Sequence, residues 1–259
     1  MLSITPLPAF SDNYIWLLRE PGGTAAAVVD PGDEEPVQAA LAAAGLHLCA
    51  ILITHHHYDH TGGVGELAAQ WPDVQVFGPA DRRIPALTRP VAEGDRVAIP
   101  GTSSELRVME VPGHTASHIA FLGDGALFCG DTLFAAGCGR VFDGTPEQLA
   151  ESLQRIAGLP PETLVYCAHE YTLANLGFAA WVEPENRAVT QRTVQVQRLR
   201  DEGRPSVPTR LAEELATNPF LRVHVEGVRA AAERFAGRSL GSSAQVFAAL
   251  RRWKDEEYD

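Results

Sequence analysis

Short apolar runs recur along the first two thirds of the chain. Tyr14-Ile-Trp-Leu-Leu18 and Ala25-Ala-Ala-Val-Val29 have the length and β-branched content of buried strands, as do Ala50-Ile-Leu-Ile53 and Val74-Gln-Val-Phe77. Between them the apolar spacing predicts helices over about 34–44 and 62–71. Thr145-Pro-Glu-Gln148 pairs a hydroxyl with a glutamine three residues later and has proline at the first helical position, which predicts a helix to about 157. After Tyr171 the period changes. Helices are predicted over 173–182, 186–201, 210–216, 225–236 and 245–255, with Ser242 as the last N-cap and a break at Gly203-Arg-Pro-Ser-Val-Pro208. The chain therefore divides into a mixed α and β domain, 1–172, and a helical domain, 173–259, small enough to need the first for burial.

Several of these strands end in residues with chemistry of their own. Ala50-Ile-Leu-Ile53 leads into Thr54-His-His-His-Tyr-Asp-His-Thr-Gly-Gly63, which packs His55, His57, Asp59 and His60 into six residues. In an extended segment alternate residues face one way, so His55, His57 and Asp59 can converge, with His60 at the start of the next helix. A polyhistidine tag would sit at a terminus, and this cluster is internal. Imidazole is the commonest transition-metal ligand, so the cluster reads as a metal site. Three later apolar runs end the same way, at Gly113-His114-Thr115-Ala116-Ser117-His118, at Gly130-Asp131-Thr132 and at His169-Glu170-Tyr171. Any one ending could be a turn residue, but four of them suit loops that build a single site. His47, His56, His224 and Tyr58 receive no ligand role.

Composition narrows the classes. Of 259 residues 45% are hydrophobic, enough for a sizeable core, and no apolar run approaches the roughly 18 residues of a membrane span. The opening Met1-Leu-Ser-Ile-Thr-Pro-Leu-Pro8 lacks a basic stretch followed by an apolar one, so no secretory signal is expected. Cys49, Cys129, Cys138 and Cys167 have no Cys-x-x-Cys spacing and read as thiols in a reducing cytoplasm. The net charge of −12 argues against nucleic acid as partner. No membrane partner is expected either, and a monomer is.

With these motifs in hand, the chain resembles the metallo-β-lactamase superfamily, and within it most closely glyoxalase II, the hydroxyacylglutathione hydrolases. The resemblance is carried by His55-x-His57-x-Asp59-His60, His114, Asp131 and His169. Phe10-Ser-Asp-Asn-Tyr14, Val29-Asp-Pro-Gly32, Gly130-Asp-Thr-Leu-Phe134 and Asn218-Pro-Phe220 add to it. Ala136-Gly-Cys-Gly139, His169-Glu-Tyr-Thr172 and Arg251-Arg-Trp-Lys254 are the more specific motifs, and coverage is close to complete. The resemblance implies an α+β fold, an αββα sandwich with a smaller all-helical C-terminal domain that contributes to a glutathione site. It implies two divalent metal ions, zinc foremost, with iron or manganese as alternatives. His55, His57 and His114 would hold one ion and Asp59, His60 and His169 the other. Asp131 would bridge them together with a hydroxide, Asp59 and Asp131 being the carboxylates closest to the chemistry.

The implied reaction is hydrolysis of a glutathione thioester, S-D-lactoylglutathione, to D-lactate and glutathione, which detoxifies methylglyoxal. Hydroxide held by the metals would attack the thioester carbonyl, and the thiolate leaving group, with a conjugate acid near pKa ~8.5, needs no dedicated proton donor. Glutathione is anionic, so Arg140, Tyr171, Arg251 and Lys254, with Phe142 and His169 beside them, are the implied substrate contacts. Lys254 is the only lysine in the chain and lies one helical turn from Arg251. By charge pattern alone that pair would be a solvated helix face. Arg140 stands where the family commonly has lysine, and Phe142 where some relatives have tyrosine, which bears on affinity and thiol preference. Asp30 is either an orienter of a ligand histidine or a turn carboxylate.

Other readings compete. A glutathione persulfide dioxygenase with one iron shares the substrate type but not the second ligand set. A β-lactamase with two zincs usually has cysteine where this chain has Asp131. No Gly-x-Ser-x-Gly elbow supports a serine hydrolase, and Gly62-Gly-Val-Gly65 lacks the Gly-Lys of a phosphate loop. A metal-binding scaffold is the non-enzyme reading, but structural sites tend to be closed and cysteine-rich.

Overall fold

A computed structural model describes residues 2–258. The chain folds into two compact units that do not follow chain order: residues 2–110 with 117–130, and residues 111–116 with 131–258.

The first unit is built on a six-stranded sheet in the order β1 (Ser3–Ala9), β2 (Asn13–Arg19), β3 (Ala25–Val29), β4 (His47–Leu52), β5 (Gln75–Gly78), β6 (Arg89–Pro90). β1, β2 and β3 pair antiparallel, and β3 to β6 run parallel. Helix α1 (Glu34–Ala44) crosses between β3 and β4. It starts at Asp33, whose carboxylate accepts the Glu35 N–H, and stops at Gly45 in the left-handed region (φ 62°). β2 and β3 are buried along nearly their whole length, as apolar runs without polar alternation require. Under the sheet lie Val37 and Leu41 of α1, together with Ile15, Leu17, Val28, Ile51 and Val76. Each such side chain contributes roughly 1.5–3 kcal/mol on burial.

The expected helix over 62–71 is α3 (Val64–Gln70), and a short helix that was not expected, α2 (Tyr58–Thr61), precedes it across Gly62 and Gly63. Gly63 is required because a Cβ there would lie 2.5 Å from the Glu34 nitrogen, and α3 adds Val64 and Leu67 to the core. A second set of strands is an antiparallel meander, β7 (Arg96–Ala98), β8 (Glu105–Glu110), β9 (Ile119–Gly123) and β10 (Ala126–Gly130).

The second unit opens with a hairpin, β11 (Leu133–Phe134) and β12 (Gly137–Cys138). Helix α4 (Pro146–Ala157) comes next, and Thr145 and Gln148 form the reciprocal capping box read from the sequence. β13 (Leu164–Cys167) pairs with β14 (Thr209–Arg210), and between them run α5 (Thr172–Val182) and α6 (Arg187–Asp201). α7 (Leu211–Thr217), α8 (Glu226–Ala236) and α9 (Ser243–Trp253) complete the helices, and α9 continues as a π-helical turn, Lys254–Tyr258. α9 packs on α4 and α8, and α5 on α6. The fold is α+β with a helical C-terminal region, as the sequence implied.

The β11–β12 hairpin is fixed by buried polar groups. Glu214, fully buried on α7, accepts the Ala136 N–H at 2.8 Å and forms an ion pair with Arg192. Asn218 donates to the Gly137 and Phe134 carbonyls, and Asn175 to the Ala135 carbonyl. Leaving any of these groups unmatched would cost about 1–3 kcal/mol, so the network fixes one hairpin conformation.

Candidate metal centre and substrate-binding residues

In the first unit β4 ends at Leu52, two residues before Thr54. Beyond it the Thr54 N–H donates to Asp30 Oδ1 at 2.8 Å and not to a neighbouring strand, and the Thr54 hydroxyl donates to Asp30 Oδ2 at 2.7 Å. His55 and His57 come next in extended backbone, but Asp59 and His60 lie on α2, for which His57 is the N-cap position. Strand alternation thus stops at His57, and a helical turn supplies the other two donors.

Proton positions are set by acceptor-only partners. The Thr54 hydroxyl gives its proton to Asp30 and so accepts from His55 Nδ1–H at 3.1 Å, which leaves His55 Nε2 as the lone-pair nitrogen. His60 Nδ1–H donates to Asp30 Oδ2 at 3.1 Å, leaving its Nε2 as the donor atom. His55 is fully buried and stacks on His118 with centroids 4.5 Å apart, and His118 Nδ1–H is held by the Ile119 carbonyl. Asn13 donates to Asp59 Oδ2 at 3.1 Å. His56 turns away, its Nδ1 3.7 Å from Asp81, whose carboxyl the Arg83 guanidinium holds well below the usual range.

In the second unit His114, Asp131 and His169 come together. His114 Nδ1–H donates to the Arg140 carbonyl at 2.8 Å, so Nε2 is again the lone pair, and it lies 3.5 Å from Asp131 Oδ2. His169 Nε2 lies 3.4 Å from the other oxygen, Oδ1. The close approach is possible because position 139 is glycine: a Cβ there would strike the Asp131 carbonyl and come within 2.8 Å of His114 Nδ1. All three side chains are buried.

These spacings test the donor set for a metal. Ligand atoms on a tetrahedral ion at about 2.0–2.2 Å sit about 3.3–3.6 Å apart. His60 Nε2 to Asp59 Oδ2 at 3.4 Å and the two Asp131 pairs at 3.5 and 3.4 Å lie in that range, and His55 Nε2 to His57 Nδ1, at 3.0 Å, is closer than it. Tautomers fixed by Asp30, Thr54 and a backbone carbonyl leave lone pairs where ligands need them. The residues fit a divalent-metal site, and groups of His and Asp donors of that kind are present among the described residues.

Comparison with known proteins agrees along the whole chain. A family model described as "Metallo-beta-lactamase superfamily" matches residues 10–169, and one described as "Hydroxyacylglutathione hydrolase C-terminus" matches residues 170–257. The hydroxyacylglutathione hydrolase of Alkalilimnicola ehrlichii is 59% identical, over 99% of this chain and 100% of its own. The chain belongs to the hydroxyacylglutathione hydrolase family. The Xanthomonas euvesicatoria hydroxyacylglutathione hydrolase is 54% identical over 98% of this chain and 99% of its own. Among solved structures, ETHE1 from Myxococcus xanthus shares the fold, with a TM-score of 0.69 at 24% identity over 100% of this chain and 93% of that one. TTHA1623 in a di-iron-bound form gives a TM-score of 0.55 at 31% identity, over 64% of this chain and 91% of that one.

Of the residues expected from the sequence to contact substrate, all in the second unit, His169 is buried and the others fall into two groups. Arg140, Phe142 and Tyr171 are accessible. Phe142 is 64% exposed with its ring edge-on to His114, and Tyr171 stacks on His169 at 4.8 Å, with Phe134 edge-on to both. Arg251 and Lys254 are only 3% and 5% exposed, so they are not the solvated helix face that charge pattern suggested. Arg251 Nη1 donates to the Cys138 carbonyl at 3.0 Å, and its other nitrogens bind Asp255 at 2.8 and 3.3 Å. Lys254 lies over the Tyr258 ring at 5.7 Å. The Cys138 thiol beside Arg251 is inert, because burial pushes its pKa to about 11 against the opposing pull of the guanidinium. Sequence reading assigned no role to Thr54, Asn13, His118 or Asp255, which hold the donors and cations. Asn13, Thr54 and His118 lie inside motifs the sequence displays, and Asp255 left its i, i+4 spacing from Arg251.

Proposed function

We propose that the protein hydrolyses S-D-lactoylglutathione to D-lactate and glutathione at two divalent metal ions. The observation that carries this reading is full-length likeness to hydroxyacylglutathione hydrolases, 59% over 99% of the chain, C-terminal region included. His55, His57 and His114 are assigned to one ion, and Asp59, His60 and His169 to the other. Asp131 is assigned as the bridge, because its two oxygens face two different histidines. Zinc suits these nitrogen and oxygen donors best, with iron and manganese as alternatives. The di-iron-bound form of a structure 31% identical to this chain supports a pair of ions.

When bound, the ions lower the pKa of water toward neutrality and polarise a carbonyl. The chain's own groups do the rest. Asp30 and Thr54 hold His60 and His55 in the tautomers that present Nε2, and the Arg140 carbonyl does so for His114. Asp59 and Asp131 supply negative charge that keeps both ions in place. Arg140 and Lys254 offset the charge of the glutathione part, while Phe142 and Tyr171 give it apolar faces. Residues 1–172 carry the metal chemistry, and 173–259 contribute to binding the thiol part. Free thiols at all four cysteines support a reducing, cytoplasmic setting.

The test is steady-state hydrolysis of S-D-lactoylglutathione with metal analysis of the same sample and an Asp131→Ala control. Turnover with about two metals, lost in the control, is expected. Bound metal without thioester turnover would overturn the reading, and oxygen uptake with glutathione persulfide would then test the one-iron alternative.

A further inference from the structure

We infer that His118 is a positioning residue that sets the ring plane of His55, and through it the affinity for one of the two metal ions. The inference rests on the two-ion assignment above and concerns what aims one of its ligands. Hydrogen bonding leaves that aim half determined. The Thr54 hydroxyl fixes the His55 tautomer through Nδ1. The last torsion of a histidine side chain is broad, however, and a single hydrogen bond tolerates a range of angles, so the ring plane can still turn. Turning it swings Nε2, the atom that must meet the ion.

His118 supplies the second restraint. Its ring lies on His55 with centroids 4.5 Å apart and planes 18° from parallel, and both rings are buried. The imidazoles of His57 and His60 meet His55 at 77° and 53° instead, and both are assigned as ligands themselves. The platform is fixed independently of any ion. His118 Nδ1–H donates to the Ile119 carbonyl at 3.0 Å. The Ile119 N–H donates in turn to the Thr54 carbonyl at 3.0 Å, which ties the backbone before His55 to the backbone after His118. The ring is also closed in at position 130, where a Cβ would lie 3.0 Å from His118 Cε1 and Nε2 and would strike the Thr54 hydroxyl. Glycine there lets ring and hydroxyl approach together. A His55 ring that turns about its torsion is therefore stopped by a flat neighbour that is itself held in place.

The test separates the stack from the hydrogen bond. His118→Asn keeps a donor for the Ile119 carbonyl but has no ring, and His118→Phe keeps a flat ring but cannot donate. Zinc is titrated against a chromophoric chelator in the parent and both variants, with melting temperatures measured on the metal-free proteins. His118→Asn is expected to weaken one of the two binding steps about ten-fold, the lower end for groups that orient a ligand, and to leave the other step unchanged. His118→Phe is expected to melt lower, having lost its bond to Ile119, and yet to bind both ions as the parent does. In a His55→Ala background His118→Asn should add nothing, since coupled partners are not additive. Equal weakening of both steps, no weakening, or a loss in His118→Phe as large as in His118→Asn would overturn the assignment and leave His118 a core residue. If His118→Asn does not fold, His118→Leu, which fills the space without a flat ring, must weaken a single step in the same way. Failure of the two-ion reading would show in the parent titration, and failure of this inference only in the variants.

Discussion

Asp30 is the residue through which local strain and metal chemistry meet. Its backbone lies in the left-handed region (φ 52°), which asparagine and aspartate tolerate better than other non-glycine residues. The strained turn aims one carboxylate at the Thr54 N–H, the Thr54 hydroxyl and His60 Nδ1 together. Asparagine keeps the backbone preference but loses the charge and one acceptor. Asp30→Asn should therefore fold as the parent does and bind metal about 10–100-fold more weakly, read by competition with a chromophoric chelator. Unchanged affinity would reduce Asp30 to a turn residue, the other reading its sequence context allowed.

At the level of elements, the loop before His114 is held against the start of α4. Gly113 has φ 143°, where side chains are strained, and a Cβ there would run into the backbone of Leu149 on α4. The Gly113 carbonyl is in turn packed against Gly144, so the loop has no room to retreat. Gly113→Ala should cost on the order of 3 kcal/mol through strain and overpacking. That corresponds to a melting temperature lower by about 6–12 °C, with metal content reduced because His114 moves. Parent-like melting and metal content in this variant would show that the loop is not seated on α4. The capping box at Thr145 was legible in sequence because it is local, whereas the seat for Gly113 depends on a residue thirty-six positions away.

For the molecule as a whole, the metal is also a stabiliser. Donors drawn from widely separated parts of the chain are not preassembled when it unfolds, so ions bind the folded state preferentially. Metal at a hundred times its dissociation constant contributes about 2.7 kcal/mol per site. Removing metal with a chelator should lower the melting temperature by about 5–11 °C for one such site, and reloading should restore it. A melting temperature indifferent to chelation would mean that metal does not couple to folding.

Period, capping and ligand chemistry are local or compositional, and from them the sequence alone yields the candidate donors, the α+β class and the helical C-terminal region. It also carried the family, since likeness was spread over motifs from Phe10 to Lys254. It read Asp59 as the continuation of a strand, because nothing local reveals that Asp30 takes the Thr54 amide and that α2 begins at Tyr58. It left Arg251 and Lys254 between a solvated face and a binding pair, since burial is a property of packing and not of spacing. Tautomers, the counter-ion shared by Arg140 and Arg251, and the two faces of Asp131 were decided by tertiary packing. Each depends on groups distant in the chain brought within about 3.5 Å, a range at which hydrogen bonds and ion pairs act and over which sequence periodicity carries no information.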